Sequence, residues 1–380
     1  MIKYLGSKRL LLERIVAAVA GAASSPVVLD LFSGTARVGH ALKRRGLRVI
    51  SNDHNAYAEV LARGLVAADR EEVEVPARRL LEDLSRLPPR PGYFTETFCE
   101  RSRFVHPRNG ARIDAIREEI ARLALPADLE AVLLVALMLA ADRVDSTTGV
   151  QMAYLKEWAP RAHHDLELRM PPVLPRIAAG RCAALGLDAV EAARIASADV
   201  AYVDPPYNQH SYLGNYHVWE SLVRWDKPET FGVACKRIDC RERGSDFNSR
   251  RRCREAMRTL LDAIDARVIV ASFNDEGHLP REAMESLLRE RIGARGRLEV
   301  LAIDHPRYVG ARIGIHNPRG EKVGTVGRLR NVEYLFVATQ GPRSLPRKVR
   351  STRASETSPD RSSPRHALPE AVEEPSPAAT

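Results

Sequence analysis

Val27-Val28-Leu29-Asp30-Leu31-Phe32 is an apolar run broken by one acid, the pattern of a strand that a parallel sheet buries on both faces. Ser33-Gly34-Thr35-Ala36 follows as a tight turn of small residues, and Arg37-Val38-Gly39-His40-Ala41-Leu42-Lys43-Arg44 reads as a helix. A second strand, Leu47-Arg48-Val49-Ile50-Ser51, ends in Asn52-Asp53. Strand, turn, helix and strand in this order commit the chain to an α/β fold. The small turn lets backbone N–H groups close on the polar end of a ligand. An acid roughly twenty positions after such a turn suits the hydroxyls of a ribose. The turn is not Gly-x-Gly-x-x-Gly, because Ala36 stands between Gly34 and Gly39. A nucleoside cofactor without a pyrophosphate, such as S-adenosylmethionine, fits it better than a dinucleotide.

Asp199-Val200-Ala201-Tyr202-Val203 is a further short apolar run, and it leads straight into Asp204-Pro205-Pro206-Tyr207. That tetrapeptide suits one chemical task. An exocyclic amine on a nucleobase is a poor nucleophile, because its lone pair is delocalised into the ring. A carboxylate and a backbone carbonyl can accept its two hydrogens and free the lone pair. Pro205 and Pro206 have fixed φ and can hold a carbonyl rigidly toward the amine. Tyr207 offers a flat face on which a base lifted out of a helix can stack. Asp204, Pro205, Pro206 and Tyr207 are therefore the candidate catalytic residues.

The chain has 380 residues, 44% of them hydrophobic, so it can bury a sizeable core as one large or two smaller domains. Its net charge of +9 favours a polyanionic partner. No stretch approaches the ~18 uninterrupted apolar residues of a membrane span. The longest apolar segment, Ala131 to Ala141, stops at Asp142-Arg143 and reads as a buried helix. Charges punctuate Lys3 to Arg14, unlike a signal peptide, so a cytoplasmic location is expected. Five cysteines without paired spacing argue against a disulfide framework. Cys235, Cys240 and Cys253 lack the Cys-x2-Cys spacing of a zinc site, and no metal is expected.

Parallel-strand signals vanish from about residue 63 to 180. Helical patterns replace them at Glu71–Leu87, Ala111–Leu123 and Leu129–Arg143. Core signals return with Ile177 to Leu187, Val200–Val203, Val268–Phe273 and Leu298–Ile303, and close at Val332–Ala338. The expected architecture is a sheet domain of residues 1–62 and 175–340 interrupted by a mostly helical domain, 63–174. Residues 341–380 are rich in Pro, Ser, Arg and Glu, and are expected to form a disordered tail. After Tyr207, the aromatics Tyr212, Tyr216, Trp219 and Trp225 either close over a flipped base or pack a helix, Tyr216–Trp225, on the core. The arginines from Arg237 to Arg254, including Arg241, Arg243, Arg250, Arg251 and Arg252, are phosphate contacts or a solvated face.

Phe32-Ser33-Gly34 followed at this distance by Asp204-Pro205-Pro206-Tyr207 resembles the Dam-like class of N6-adenine-specific DNA methyltransferases. Met1-Ile2-Lys3-Tyr4-Leu5-Gly6-Ser7-Lys8-Arg9 is similar to the opening segment of that family. Arg108–Arg117, Ala141–Val150, Asn215–Glu220, Ser272–Gly277 and Glu333–Val337 resemble its restriction-modification-type branch. The resemblance covers roughly residues 1–340. It implies a Rossmann-like S-adenosylmethionine-dependent methyltransferase sheet with an inserted, mostly helical target-recognition domain. It implies transfer of a methyl group to N6 of a flipped adenine in double-stranded DNA, without a metal, and a possible cognate restriction endonuclease as partner. Tyr4, Gly6 and Lys8 would surround the methionine moiety of the cofactor. Phe32, Ser33 and Gly34 would line its amino-acid and ribose region, Asp53 would hold the ribose, and Asp188 would accept from the adenine amine. Lys3, Arg103, Asn109 and Lys156 are the expected DNA contacts. An RNA N6-adenine methyltransferase and a catalytically silent DNA-binding protein are the alternatives.

Overall fold

The computed structural model describes residues 2–6, 8–22, 26–306 and 330–341. Seven strands make one sheet: β1 (Val27–Asp30), β2 (Arg48–Asn52), β3 (Ala183–Leu185), β4 (Val200–Val203), β5 (Val268–Asn274), β6 (Arg297–Pro306) and β7 (Arg330–Thr339). Their order across the sheet is β3-β2-β1-β4-β5-β7-β6. The first five pair in parallel, and β7 runs antiparallel between β5 and β6. Val28 registers with Val49 on one side and with Val200 on the other. Chain order reverses at β1 and β4, and this leaves a crevice beyond the carboxyl ends of those strands. Every residue of β4 and β5 is buried, which is why Val200–Val203 reads as an unbroken apolar run and β5 as one interrupted only by Ser272 and closed by Asn274. The run from Ile177 to Leu187 yields only the three residues of β3, an edge strand paired with β2 alone.

Helix α1 (Leu12–Ala20) precedes β1, α2 (Arg37–Arg44) joins β1 to β2, and α3 (Ala56–Ala62) follows β2. The segment from 63 to 174 carries α4 (Arg70–Ser85), α5 (Pro107–Leu123) and α6 (Ala127–Arg143). Helix α6 is apolar on almost every side and buries each residue from Ala131 to Met138. Its neighbours α3, α4 and α5 surround it. Its buried side chains join the same hydrophobic core as Val28 and Val49 of the sheet. On the opposite face, α7 (Ala189–Ile195), α9 (Cys253–Ala263) and α10 (Arg281–Ile292) form a second core with Leu29, Val203 and Ile269.

Helix α8 (His217–Arg224) stops at Trp225, whose left-handed φ of 54° ends it. Trp219 is buried, and the Trp225 ring lies between the Arg117 and Lys227 cations at 5.4 and 5.5 Å. Both tryptophans therefore pack on protein. The basic tract also needs correction in part. Arg237 is buried and forks onto both oxygens of Asp226 at 2.7 Å while pairing with Asp239. Arg243 holds the buried Glu220 at 2.8 Å. These two arginines tie the chain to itself; Arg250, Arg251 and Arg254 are exposed. The expected tail lies outside the described residues apart from Gly341. Among the described residues no helix is long and apolar enough to cross a membrane.

Candidate active site

A cleft of about 980 Å³, counted out to its solvent mouth, opens at the carboxyl ends of β1, β2 and β4. Residues far apart in the chain meet there. Tyr4, Gly6, Lys8, Phe32, Ser33, Gly34, Asp53, Asp188, Asp204 and Pro206 all line it. Gly34 takes a left-handed φ of +50°, and a Cβ there would lie 3.2 Å from the Tyr4 hydroxyl. The turn therefore needs glycine twice over, for backbone and for space. The Gly34 N–H donates to Asp53 Oδ2 at 3.0 Å, and Asp53 Oδ1 accepts from both the backbone and side-chain N–H of Asn55. Burial nevertheless pushes the Asp53 carboxyl above its usual range, with nearby His54 and these hydrogen bonds opposing.

One wall is aromatic. The Tyr4 ring stacks on Tyr216 at 4.6 Å and on Tyr212 at 5.2 Å, and its hydroxyl meets that of Tyr57 at 3.3 Å. The Leu5 N–H donates to the Tyr216 hydroxyl at 2.6 Å. Opposite, Phe32 meets Phe247 edge-on at 5.4 Å, with Leu187 and Asp188 nearby in the lining. Asp188 caps α7 by accepting from the Val190 N–H at 2.8 Å, and its side chain is exposed.

Asp204 directly follows β4. Its Oδ1 lies 3.0 Å from the Lys8 ammonium, which also lies 3.4 Å from Glu333 Oε2. Burial pushes the Asp204 carboxyl up to about 6, and Lys8 opposes the shift. Tyr207 packs edge-on against Phe273 at 5.7 Å, and its carbonyl accepts from the His278 N–H at 2.7 Å. The segment after it is held by Asn248, whose side-chain amide donates to the carbonyls of Asn208 and His210.

The expected DNA contacts do not gather there. Asn109 is completely buried; its side-chain N–H groups donate to the carbonyls of Ala162 and His164, and its oxygen accepts from the Leu166 N–H. With its amide committed, Asn109 cannot read a base edge, and the expectation is corrected. The Lys3 ammonium pairs with Asp145 at 2.8 Å, and its side chain is 38% exposed. Arg103 and Lys156 are both exposed, and Arg103 donates to the Lys156 carbonyl.

Sequence reasoning passed over Asp30. It stands at the carboxyl end of β1 in the cleft, fully buried, with no side-chain partner and only the Gly39 backbone N–H close to its carboxylate. Burial, with Asp204 and Asp53 nearby, pushes it up to about 8. The signal was present: one acid in an otherwise apolar buried strand. Phe247 was missed too, because it reaches the cleft from a short turn at Asp246–Asn248 that carries no motif.

Of the predicted catalytic residues, Asp204 and Pro206 line the cleft, whereas Pro205 and Tyr207 stand outside its lining. A mostly parallel sheet with this reversal point, and a cleft lined by Phe32-Ser33-Gly34, Asp204 and Pro206, are the features of a methyltransferase. The chain belongs to the D12 class N6 adenine-specific DNA methyltransferases, whose family model matches residues 4–287. It is 32% identical over 319 residues to the type II methyltransferase M.NlaIII of Neisseria lactamica, covering 81% of this chain and 92% of that one. It is 28% identical over 317 residues to the type II methyltransferase M.CviAII of Paramecium bursaria Chlorella virus 1, with the same two coverages of 81% and 92%. The modification methylase StsI of Streptococcus sanguinis is 28% identical over 324 residues, and this chain spans about half of its length, 49%.

Proposed function

We propose that this adenine-specific modification methyltransferase binds S-adenosylmethionine in the cleft and methylates N6 of an adenine flipped from double-stranded DNA, with Asp204 as the group that receives the amine. The convergence of both motifs on one cleft carries the reading. The chain's own groups suit such a cofactor. The Asp30 carboxyl, without a side-chain partner, and the unpartnered Ser33 hydroxyl are polar groups that a ligand could satisfy, and Phe32 and Phe247 offer flat apolar contact. Ser33, Gly34 and Asp53 would hold the amino-acid and ribose part, Asp188 the adenine amine, and Tyr4 and Gly6 the methionine side. When bound, the cofactor supplies an electrophilic methyl group on a sulfonium.

Asp204 and the Pro205 carbonyl then accept the N6 hydrogens and keep the lone pair aimed along the line of attack. Tyr207 carries the base on its ring. Orientation of this kind is worth several kcal/mol of barrier. Asp204, raised by burial to about 6, is basic enough to take the proton that N6 sheds as its bond to carbon forms.

Residues 63–174 are the proposed target-recognition region. In its support, the Gln151 N–H donates to the Asn215 carbonyl, and its side-chain oxygen accepts from the Val218 N–H. The helical region is thus fastened to the segment after Tyr207. Arg103 and Lys156 are the DNA contacts that remain proposed, with Lys3 ordering the opening segment. The relatives' names, modification methylase and type II methyltransferase, support pairing with an endonuclease of the same target, acting on cytoplasmic DNA. The test is to incubate the protein with S-adenosylmethionine and duplex DNA and to sequence the product at single-base resolution. N6-methyladenine at one short motif is expected. Methylation of RNA in preference to duplex DNA, or of cytosine, contradicts the proposal.

A further inference from the structure

We infer that Lys8 is a positioning residue for Asp204: its ammonium, anchored by Glu333, holds Oδ1 of the carboxylate and leaves Oδ2 to meet the base amine. The inference rests on the reading of Asp204 as the amine's acceptor. It gives Lys8 a different partner from the cofactor methionine expected for it.

The geometry comes from three separate parts of the chain. Lys8 opens a short 3-10 turn, Asp204 directly follows β4, and Glu333 lies on β7. Lys8 is only 7% exposed, and its ammonium sits 3.0 Å from Asp204 and 3.4 Å from Glu333. The other oxygen of Glu333 accepts from the Asn274 side chain at 3.4 Å, at the end of β5. Lys8 also stands 5.7 Å from the centre of the Tyr207 ring. One cation therefore touches the proposed amine acceptor and faces the proposed base platform, and a carboxylate outside the motif steadies it.

Two acids already share this ammonium. A cofactor carboxylate placed against the same cation would meet both of them at close range and be repelled. A buried cation between two carboxylates has a more natural use. It keeps the nearer one ionised where burial would otherwise protonate it. The groups facing Asp204 fit that use. Lys8 is the cation, Glu333 opposes ionisation, the buried Asp30 is itself raised to about 8 by burial and by Asp204 and so stays protonated where Asp204 titrates, and Tyr202, Tyr207 and Tyr212 are phenols held protonated by burial.

The test is the pH profile of the single-turnover methylation rate, with S-adenosylmethionine affinity measured by calorimetry. An ionised Asp204 is needed for transfer, so the acidic limb tracks its protonation. Lys8→Met removes the cation, and the limb should move up by about 1 pH unit or more. Glu333→Gln removes the competing anion, and the limb should move down. Cofactor affinity should change by less than about threefold in both. Opposite shifts are not what loosened packing produces. A limb that stays in place, or two limbs moving the same way, overturns the inference. So does a tenfold loss of cofactor affinity in Lys8→Met with its limb unmoved. If Lys8→Met does not fold, Glu333→Gln decides alone, by a downward shift or its absence. Asp204→Ala separates the underlying reading: wild-type turnover in that variant refutes the role of Asp204. An inactive Asp204→Ala with unmoved limbs in the other two refutes only the role of Lys8.

Discussion

Gly34 donates its backbone N–H to the carboxylate of Asp53 at 3.0 Å, so the acid at the end of β2 shapes the turn after β1. An acid expected to hold a ribose thus has a second task. Asp53→Ala should weaken S-adenosylmethionine binding by ~1–3 kcal/mol, since a charge-assisted contact and the turn's support go together. It should also lower the melting temperature of the free protein. Calorimetry that finds unchanged affinity would remove Asp53 from the cofactor site.

Asp30 predicts a dependence on pH. Its folded-state carboxyl, at about 8, lies above the ~3.9 of an unfolded aspartate. Between those values the folded protein keeps a proton that the unfolded chain has lost, so this group subtracts stability as pH rises. Asp30→Asn cannot ionise. The melting temperature of the variant minus that of the cofactor-free wild type should therefore grow from pH 5 to pH 8. A difference independent of pH would contradict a carboxyl raised by burial. The same variant should bind S-adenosylmethionine more weakly.

Arg237 separates structure from DNA contact within the basic tract. Its guanidinium satisfies Asp226 and Asp239 together. Arg237→Ala leaves two acids without their cation and should cost about 3 kcal/mol of stability in chemical denaturation. Wild-type stability with a reduced salt dependence of DNA binding would instead restore it as a phosphate contact.

The sequence showed capacities better than partners. The turn at Gly34, the strand-end Asp53 and the motif at Asp204 were legible because local rules fix them. A small turn, a strand end and paired prolines act within a few residues. Asn109 and Arg237 were misread because their chemistry, amide and guanidinium, suits DNA and protein equally. Their partners in the fold decide, and Asn109 finds its own 53 to 57 residues away. The Lys8 to Glu333 pair spans 325 residues and carries no local signature at all. The helices of residues 63–174 were legible as helices. That α6 shares the core of the sheet was not, since its nearly uniform apolar surface gives no facing direction.

Arg103 and Lys156 test the proposed DNA face. Both are exposed within residues 63–174, away from the cleft lining. Replacing both by alanine should weaken duplex binding evenly across sequences and reduce the slope of log K against log salt by about 1 to 2. Cofactor affinity should stay as it is. An unchanged slope would move the phosphate contacts elsewhere, with Arg250, Arg251 and Arg254 next to examine.

The central claim is that Asp204 receives the amine of a flipped adenine. Asp204→Ala, assayed for single-turnover methylation of duplex DNA alongside calorimetric S-adenosylmethionine binding, tests it most directly. The account predicts loss of methyl transfer by at least about a hundredfold, the usual scale for a positioned proton-accepting group, with cofactor affinity largely kept. Methylation at the wild-type rate would contradict it.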